Sequence, residues 1–463
     1  MKRAICAVVL AASLAACSAG CGSSTTTPAA TPGKPTYHAP AARNGLVFKS
    51  PELQFQMLRA LGASAYGGAD IGECLETAMR VDEARLERGE FDTWFDAWNS
   101  TAVRLNTAAD ELLRRNDRTG ARDTYLRCNT YYNMAEFYLH GNTSDPRIKA
   151  TSEKAIECFD RAAKLMEPPA ERVAVKFENS TIPAYFYRVD TSGRKRPLVI
   201  IQTGFDGTQQ ELYAGGVRAS LERGYNVMTF EGPGQGQVLR EQGLHFRPDW
   251  DKVVTPVVDY AVSRKDVDPG KLTLWGISMG GCLAARAAAR EHRLKALILD
   301  PAMDMAQVVL RQVGPGIKEM VGDPGFKVDR KSVKAVLEQH GEEMDRGFEY
   351  AMKGSVSMTW FMQNGMYVFG VDRPSGFPLK MLDYSLDGLA SKITADTLVC
   401  DSEQDVEKYG DMARRVYESL DCRKKYVLFT NAEGAGAHCQ VGAAHLGCQV
   451  KLDWLNGVTG NRD

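Results

Sequence analysis

The sequence lacks a surplus of charge of either sign. Its 463 residues include 57 Lys and Arg against 58 Asp and Glu, a formal net charge of −1. A nucleic-acid-binding protein needs a basic surplus or a basic stripe to neutralise phosphates, so this balance argues against that class. The sequence is not poor in apolar residues either, since 44% are hydrophobic. We therefore expect a folded protein of two or three domains, or one large core with additions.

Sequence signals for a bound metal or nucleotide are also missing. The eight cysteines beyond residue 45 form no Cys-x-x-Cys pair, which excludes the usual spacing of zinc-ribbon and thioredoxin-like sites. The segment Gly232-Pro233-Gly234-Gln235-Gly236 follows a predicted strand, but Gln237 replaces the third glycine of a dinucleotide-binding loop. No metal and no cofactor are expected. One or two disulfides are compatible with an exported protein, although the spacing does not pair the cysteines.

Long apolar runs are absent apart from one short run at the N-terminus. Two basic residues precede the run Ala4–Ala16, which is too short to span a bilayer but fits the core of a secretory signal. The run ends in Leu14-Ala15-Ala16-Cys17, which resembles the bacterial lipobox, a motif whose cysteine becomes lipidated. The alternative is an ordinary signal peptide that is cleaved near Ala16.

The N-terminal segment is therefore predicted to lie outside the folded body. We expect residues 1–16 to be a signal peptide and residues 17–45, rich in Ser, Thr, Pro, Ala and Gly, to be a disordered tether. The resulting prediction is a lipoprotein that is exported to a bacterial cell envelope. A fatty acyl chain such as palmitate on Cys17 would anchor it to the membrane.

The rest of the chain divides by periodicity. Residues 46–170 repeat apolar side chains at three- and four-residue steps, which predicts a helical domain; a tetratricopeptide-like partner module is the alternative. Residues 171–301 alternate short apolar runs with helical patterns, and residues 395–463 resume this alternation. The pattern is typical of a parallel sheet covered by helices on both faces. Residues 302–394 are too many for a loop and are predicted to form an inserted helical cap.

A Gly-x-Ser-x-Gly motif carries the clearest chemical signal. Gly276-Ile277-Ser278-Met279-Gly280 directly follows the predicted strand Leu272–Trp275 and directly precedes a helix rich in small residues. In that context the motif is typical of a nucleophile elbow, in which a sharp turn exposes the serine. We predict Ser278 as the nucleophile. The alternative is an ordinary surface serine in a glycine-rich turn.

A serine nucleophile needs a base and an acid that orients the base. In the chain order of this kind of sheet the histidine comes last, so His438, in a glycine-rich loop after the last predicted strand, is the predicted base. His445 is the alternative. Asp405, which follows the preceding strand after a short turn, is the predicted acid, with Asp401 and Asp300 as alternatives.

Two further features concern the oxyanion and the substrate. The glycines that flank Phe205-Asp206 allow backbone N–H groups to turn inward. We expect the N–H of Phe205 or Asp206 and the N–H of Met279 to stabilise an oxyanion; a simple glycine-rich turn is the alternative. The predicted cap carries a group of apolar residues: Met358, Trp360, Phe361, Met366, Tyr367 and Phe369. They suggest a cavity that accepts aromatic substrates. The alternative is that they form only the core of the cap.

Together these motifs resemble those of the α/β-hydrolase family that includes 2,6-dihydroxypseudooxynicotine hydrolase, fungal polyketide-shortening hydrolases and, more distantly, FrsA-type esterases. The resemblance extends over about residues 46–455 and rests on five segments: Thr203–Gly207, Phe230–Gly236, Gly276–Gly281, Asn364–Val371 and Glu433–Gln440. It implies an α/β-hydrolase fold, with a mostly parallel eight-stranded sheet, an N-terminal helical domain and an inserted cap. It also implies a Ser-Asp-His triad that cleaves an ester, or a C–C bond next to a ketone, in a small aromatic or polyketide-like substrate.

These inferences converge on a serine hydrolase that forms an acyl-enzyme intermediate. The alternatives are a carboxylesterase of broad specificity, a catalytically inactive substrate-binding lipoprotein, and a scaffold that acts through its helical domain. The expected partners are a small-molecule substrate, a membrane reached through Cys17 and a second copy in a homodimer, without nucleic acid. The insertion leaves the sheet at the end where Ser278 lies, so the cap is predicted to fold over Ser278. We also expect the helical domain to pack against the cap, so that the two together close the pocket.

Overall fold

The computed structural model describes residues 46–461, and its centre is one eight-stranded sheet. The strands run in the spatial order β1-β2-β4-β3-β5-β6-β7-β8. β1 pairs antiparallel with β2, and β2 pairs antiparallel with β4, whereas all other neighbours are parallel. The strands are β1 (Glu171–Phe177), β2 (Ser180–Tyr187), β3 (Arg196–Gln202), β4 (Asn226–Phe230), β5 (Val267–Ile277), β6 (Ala296–Asp300), β7 (Asp396–Ser402) and β8 (Lys424–Phe429).

The burial of the strands explains their sequence pattern. Every residue of β3, β4 and β6 is buried, as expected where helices cover both faces of a parallel sheet. These strands therefore read as continuous apolar runs. The predicted fold class, a mostly parallel eight-stranded sheet with helices on both sides, is confirmed.

Helices precede the sheet, separate its strands and fill the segment between β6 and β7. Those before β1 are α1 (Pro51–Gly62), α2 (Ile71–Ala78), α3 (Glu83–Glu87), α4 (Asp92–Arg114), α5 (Arg118–Glu136) and α6 (Pro146–Leu165), with short 3-10 helices at Ala63–Tyr66 and Leu139–Gly141. Those between strands are α7 (Arg218–Leu221), which follows the π-helical turn Tyr213–Val217, α8 (Gly236–Gln242), α9 (Asp251–Ser263) and α10 (Met279–Ala288).

The remaining helices lie after β6. They are α11 (Met305–Gln312), α12 (Gly314–Val321), α13 (Arg330–Gln339), α14 (Gly341–Met352), α15 (Val356–Phe369), α16 (Gly376–Met381), α17 (Glu403–Tyr409), α18 (Met412–Glu418) and α19 (Ala444–Thr459), with 3-10 helices at Ala390–Lys392 and His438–Gln440. Residues 302–394 therefore hold helices only, as do residues 46–170. The division of the chain into domains at these boundaries stays a prediction.

Aspartates begin several of the helices before the sheet. Asp70, Asp82, Asp117 and Asp145 each accept a backbone N–H from the first turn of the following helix. Such caps satisfy donors that have no partner within the helix and each stabilise it by about 1 kcal/mol. The caps explain why turns of only a few residues suffice between successive helices.

The helices before the sheet contact the inserted helices directly. Phe137, at the end of α5, stacks on Trp360 of α15 with ring centroids 4.7 Å apart. The indole N–H of Trp360 donates to the carbonyl oxygen of Phe137 at 3.2 Å. The Ser357 hydroxyl, also on α15, donates to Glu52 of α1 at 3.2 Å. The predicted packing of these two groups of helices against each other is thus observed.

One local prediction was wrong. The segment that was expected to be a short turn before Asp405 is the first turn of α17, and β7 extends to Ser402. Glu403 and Asp405 lie in the first turn of that helix, where the helix dipole favours acidic residues. A helix of seven residues is too short to show an apolar period, which is why the sequence pattern did not reveal it.

Several predictions fall on residues that the structure does not describe. The signal peptide, the tether and the lipidation of Cys17 all lie within residues 1–45, outside the described residues. Within residues 46–461, no helix combines the length and apolar character needed to cross a membrane. All eight cysteines of the same range are free thiols, so the one or two disulfides that the sequence left open are not present among them.

A buried ion pair joins the last helix to the sheet. Lys451 of α19 lies 2.6 Å from the Asp300 carboxylate at the end of β6, and the two side chains are 4% and 2% exposed. Burial lowers the pKa of Lys451, but the Asp300 carboxylate, together with Cys400 and Cys448, raises it by more, and the net pKa lies above its ordinary value. The ammonium group also lies over the rings of Trp275 and Phe429. The charge on Lys451 is therefore compensated inside the core.

Replacing Lys451 by Met should destabilise the protein by about 3–5 kcal/mol, because Asp300 would keep a buried charge without a partner. The free energy of unfolding, measured in urea, tests this expectation. Lys149→Met is the matched control, since Lys149 pairs with Glu153 at 3.8 Å with both side chains mostly exposed. The control should unfold like the parent. Equal stability of the two variants would show that the buried pair contributes nothing.

Candidate active site

Ser278 lies in a strained turn between β5 and α10. Its backbone has φ 60° and ψ −133°, a conformation that a residue with a side chain adopts only when its surroundings hold it. The N–H of Ser278 donates to the carbonyl oxygen of Asp300 at 2.7 Å. A Cβ on Gly276 would lie 2.0 Å from the carbonyl oxygen of Gly280. Glycine is therefore required beside the turn, as the Gly-x-Ser-x-Gly pattern predicted.

The structure brings Ser278, His438 and Asp405 together. Nε2 of His438 lies 2.9 Å from Oγ of Ser278. Nδ1 of His438 lies 2.9 Å from each carboxylate oxygen of Asp405. Because a carboxylate only accepts hydrogen bonds, Nδ1 carries a proton, and in the neutral imidazole Nε2 is free to accept from the serine hydroxyl. This is the arrangement that a serine–histidine–acid triad requires.

The alternative residues have other partners. Asp401 accepts a hydrogen bond from the Tyr426 hydroxyl at 2.8 Å, and burial raises its pKa to about 6. Asp300 pairs with Lys451. His445 is exposed, and its ring packs on that of Tyr66. Of the three aspartates that the sequence offered, Asp405 is thus the one that the fold places against His438.

The charge balance around His438 favours its protonated form. Burial lowers the pKa of His438, but the nearby Asp405 carboxylate and, to a smaller extent, Cys439 raise it, and the net pKa lies well above its ordinary value. The side chain of His438 is 27% exposed and that of Asp405 only 7%. The carboxylate is therefore poorly screened by water and acts strongly on the imidazole.

The predicted oxyanion loop lies against the serine turn. A Cβ on Gly204 would be 2.7 Å from the backbone nitrogen of Met279, so this position must remain glycine for the loop to approach. Phe205 and Met279 are buried, whereas the Asp206 carboxylate is turned aside to pair with Arg59 of α1 at 3.1 Å. The backbone groups that the sequence predicted for an oxyanion site are thus close to Ser278.

Aromatic side chains surround this loop. Phe205 lies 5.4 to 6.0 Å, between ring centroids, from Phe361, Phe377 and Trp360. Phe369 packs on Phe246 and Tyr384 and also lies 5.4 Å from Phe377. Trp360 and Phe361 of α15 therefore contact the oxyanion loop directly, whereas Phe369 reaches Phe205 only through Phe377 and is buried in the core.

Sequence reasoning missed several polar residues near the site. Asn364 of α15 donates to the Phe205 carbonyl oxygen at 3.2 Å, and His140 hydrogen-bonds to Asn364. Arg59 pairs with Asp206 and Glu211. Of these residues, only Asn364 lies in a segment that the sequence singled out, Asn364–Val371, but its polar contact was not predicted. Within residues 46–461, no group of three or more His, Cys, Asp or Glu side chains is arranged to hold a metal ion.

The chain is similar to fungal hydrolases over most of its length, although no protein-family model matches it. It is 31% identical over 436 residues to the hydrolase LUC6 of a Fusarium species, covering 90% of this chain and 98% of that protein. It is 30% identical over 432 residues to the 20-hydroxy-prefusarin hydrolase FUS2 of Gibberella moniliformis, covering 89% and 97%. The hydrolase acrC of Aspergillus aculeatus is also 30% identical, with 88% and 97% covered.

Solved structures show the same fold. A 2,6-dihydroxy-pseudo-oxynicotine hydrolase superposes with a TM-score of 0.62 at 19% identity, covering 87% of this chain and 95% of that chain. AbyA5 superposes with a TM-score of 0.56 at 15% identity, covering 88% and 94%. At these identities the likeness establishes the architecture alone.

The relatives overturn one prediction from the sequence. The expected location in a bacterial cell envelope is contradicted, because the similar proteins are fungal hydrolases. The lipobox-like pattern consists of only four residues, so a match to it is weak evidence of lipidation. Neither a lipid anchor on Cys17 nor a homodimer finds support in these relatives.

The titration of His438 tests the charge balance at the site. We expect NMR to give a pKa well above 6.5, because Asp405 stabilises the imidazolium. Below that pKa the imidazole holds two protons and cannot accept a third, so any step that needs it as a base should accelerate as the pH rises through the pKa. Asp405→Asn should lower the pKa of His438, and Asp401→Asn should leave it close to the parental value. A pKa that is unchanged in Asp405→Asn would contradict the interpretation.

Proposed function

Because the chain belongs to the α/β-hydrolase family and is a hydrolase, we propose that it is a serine hydrolase with Ser278 as nucleophile, His438 as base and Asp405 as orienting acid. The observation that carries the proposal is the continuous hydrogen-bonded chain from Ser278 Oγ through His438 to Asp405, at 2.9 Å for each contact. Three residues from three separate elements meet in the order that acyl transfer requires.

The first half of the reaction acylates the serine. His438 Nε2 takes the proton of Ser278 as Oγ attacks a substrate carbonyl carbon, and Asp405 stabilises the imidazolium that forms. The negative oxygen of the tetrahedral intermediate is stabilised by N–H groups of the Phe205–Asp206 loop and by that of Met279, at the start of α10. The intermediate then collapses, and His438 returns the proton to the leaving group.

The second half releases the acyl group as a carboxylic acid. His438 removes a proton from water, the hydroxide attacks the acyl carbon, and the proton returns to Ser278. Because a triad of this kind accepts an alkoxide or a stabilised carbanion as leaving group, the pocket and not the triad selects the bond. Cleavage of a C–C bond next to a ketone expels an enolate, which becomes a ketone on protonation.

The proposed substrate is a small, aromatic or polyketide-like ketone. The aromatic side chains of Phe205, Trp360 and Phe361, which lie close together beside the serine turn, support an apolar and ring-tolerant pocket. The names of two similar proteins specify hydroxylated small molecules, 20-hydroxy-prefusarin and 2,6-dihydroxy-pseudo-oxynicotine. A carboxylesterase of broad specificity is the second candidate, since the same residues would serve it.

A fluorophosphonate probe tests the nucleophile. We expect the probe to label Ser278 in the folded protein and to leave Ser278→Ala unlabelled, as peptide mapping by mass spectrometry would show. Asp405→Asn should reduce turnover by about 10⁴-fold, the scale observed when a triad acid is neutralised. Asp401→Asn is the matched control, since Asp401 bonds to Tyr426 and should have a far smaller effect. The reverse ranking would transfer the acid role to Asp401.

Product analysis separates the two candidate reactions. With 1-phenyl-1,3-butanedione, C–C hydrolysis consumes one water and yields one ketone and one carboxylic acid in equal amounts. We expect the parent to form both products and Ser278→Ala to form neither. Hydrolysis of an aryl acetate without any cleavage of this diketone or of related β-diketones would favour the esterase. Cleavage that persists in Ser278→Ala would reject the proposed mechanism.

A further inference from the structure

A row of buried polar side chains connects the helices before the sheet with the oxyanion loop. Glu136, at the end of α5, pairs with Arg240 of α8 and lies 3.6 Å from Nε2 of His140. Nδ1 of His140 lies 2.8 Å from Oδ1 of Asn364. Nδ2 of Asn364 donates to the carbonyl oxygen of Phe205 at 3.2 Å. The side chains of Glu136, His140 and Asn364 are buried, so water does not compete for these contacts.

The direction of each hydrogen bond in this row is fixed. The Phe205 carbonyl oxygen only accepts, so the amide of Asn364 must present its nitrogen to it and its oxygen to His140. Nδ1 of His140 therefore carries a proton. Nε2 faces Glu136 at 3.6 Å, which is beyond hydrogen-bond distance, and has no hydrogen-bond partner within the described part of the chain. Burial alone would raise the pKa of Glu136, but Arg240 and His140 together lower it by more. The pKa of Glu136 therefore lies below its ordinary value, and the group stays a carboxylate.

The row ends on a peptide group that the proposed reaction uses. In a trans peptide the C=O and the N–H point in opposite directions, so fixing the Phe205 carbonyl also fixes the N–H of Asp206. The preceding peptide is held in a similar way, because Nε2 of buried Gln235 donates to the carbonyl oxygens of Thr203 and Gly204, at 2.7 and 3.3 Å. Both peptide groups of this loop that bear a candidate oxyanion donor are thus held by a buried side-chain amide.

We propose that Asn364 is a positioning residue for the oxyanion loop and that His140 and Glu136 hold it in place. This inference rests on the proposed serine-hydrolase function. Donors stabilise an oxyanion strongly only when their direction is set before the reaction. The helices before the sheet and the inserted helices therefore do more than cover the pocket, because together they set the direction of backbone N–H groups beside Ser278.

The test compares two buried asparagines that make the same kind of hydrogen bond. Asn364→Leu removes the contact with Phe205. Asn129→Leu is the matched control, since Asn129 is 2% exposed and its Nδ2 donates to the carbonyl oxygen of Ala155 at 2.9 Å, within the helices before the sheet. For each variant, the reaction of Ser278 with a fluorophosphonate gives the apparent binding constant KI and the chemical rate constant kinact, and thermal unfolding gives Tm.

We expect Asn364→Leu to lower kinact by about 10- to 100-fold, somewhat less than the loss of a whole oxyanion donor, with KI unchanged. Asn129→Leu should lower Tm by a similar amount but keep the parental kinact. A merely structural role for Asn364 would lower Tm without this difference in kinact. Values of kinact within twofold of the parent for Asn364→Leu, or equal losses in both variants, would overturn the inference.

Variants of His140 provide an independent comparison that does not alter Asn364. His140→Asn keeps a donor near the position of Nδ1 and should retain most of kinact, whereas His140→Leu should lower kinact like Asn364→Leu. If Asn364→Leu does not fold, this pair decides alone, and equal kinact for His140→Asn and His140→Leu would overturn the inference. A parent protein that the probe does not label at Ser278 would instead reject the proposed function, and the inference with it.

Discussion

The position of Asp300 is the constraint on which the geometry of the site depends. Its carbonyl oxygen accepts the N–H of Ser278 at 2.7 Å, and its carboxylate pairs with Lys451 and accepts a hydrogen bond from Gln440 at 3.1 Å. Gln440 lies two residues after His438. One residue at the end of β6 therefore fixes the turn of Ser278 through its backbone and the loop of His438 through its side chain. Since the pair is buried, loss of either charge would disturb both elements.

Helices outside the sheet hold the loop that lies beside Ser278. The sheet positions Ser278, His438 and Asp405, but the loop of Phe205 and Asp206 contacts residues from outside the sheet. Arg59 of α1 holds the carboxylate of Asp206, and Asn364 of α15 holds the carbonyl of Phe205. Two helical segments that are far apart in sequence thus converge on one loop, which explains why they also stack against each other through aromatic rings.

The parts of the structure that local chemistry determines could be predicted from the sequence. The sheet followed from continuous apolar runs that alternate with helical patterns, and the serine turn followed from a motif in its strand–turn–helix context. Asp405 was preferred over Asp401 from its place after the strand, but local pattern left both open, because the two aspartates lie four residues apart and only tertiary contacts, with His438 and with Tyr426, distinguish them. The contact between His140 and Asn364 gave no signal for the same reason: the two residues are 224 positions apart in the chain and meet only in the folded protein. The lipobox-like leader misled because so short a pattern carries little information.

The inserted helices join the sheet in a way that lets their sequence change without a change in the sheet. The insertion leaves at the end of β6 and returns at the start of β7, and these strands are parallel neighbours in the sheet. A change in the length or composition of the insertion therefore leaves the pairing of the strands intact. Natural variation can remodel the aromatic residues beside the serine turn while Ser278, His438 and Asp405 keep their places. The same arrangement makes this segment the natural place to exchange sequence in laboratory evolution toward new substrates, provided that the contact of Asn364 with the loop below it is kept.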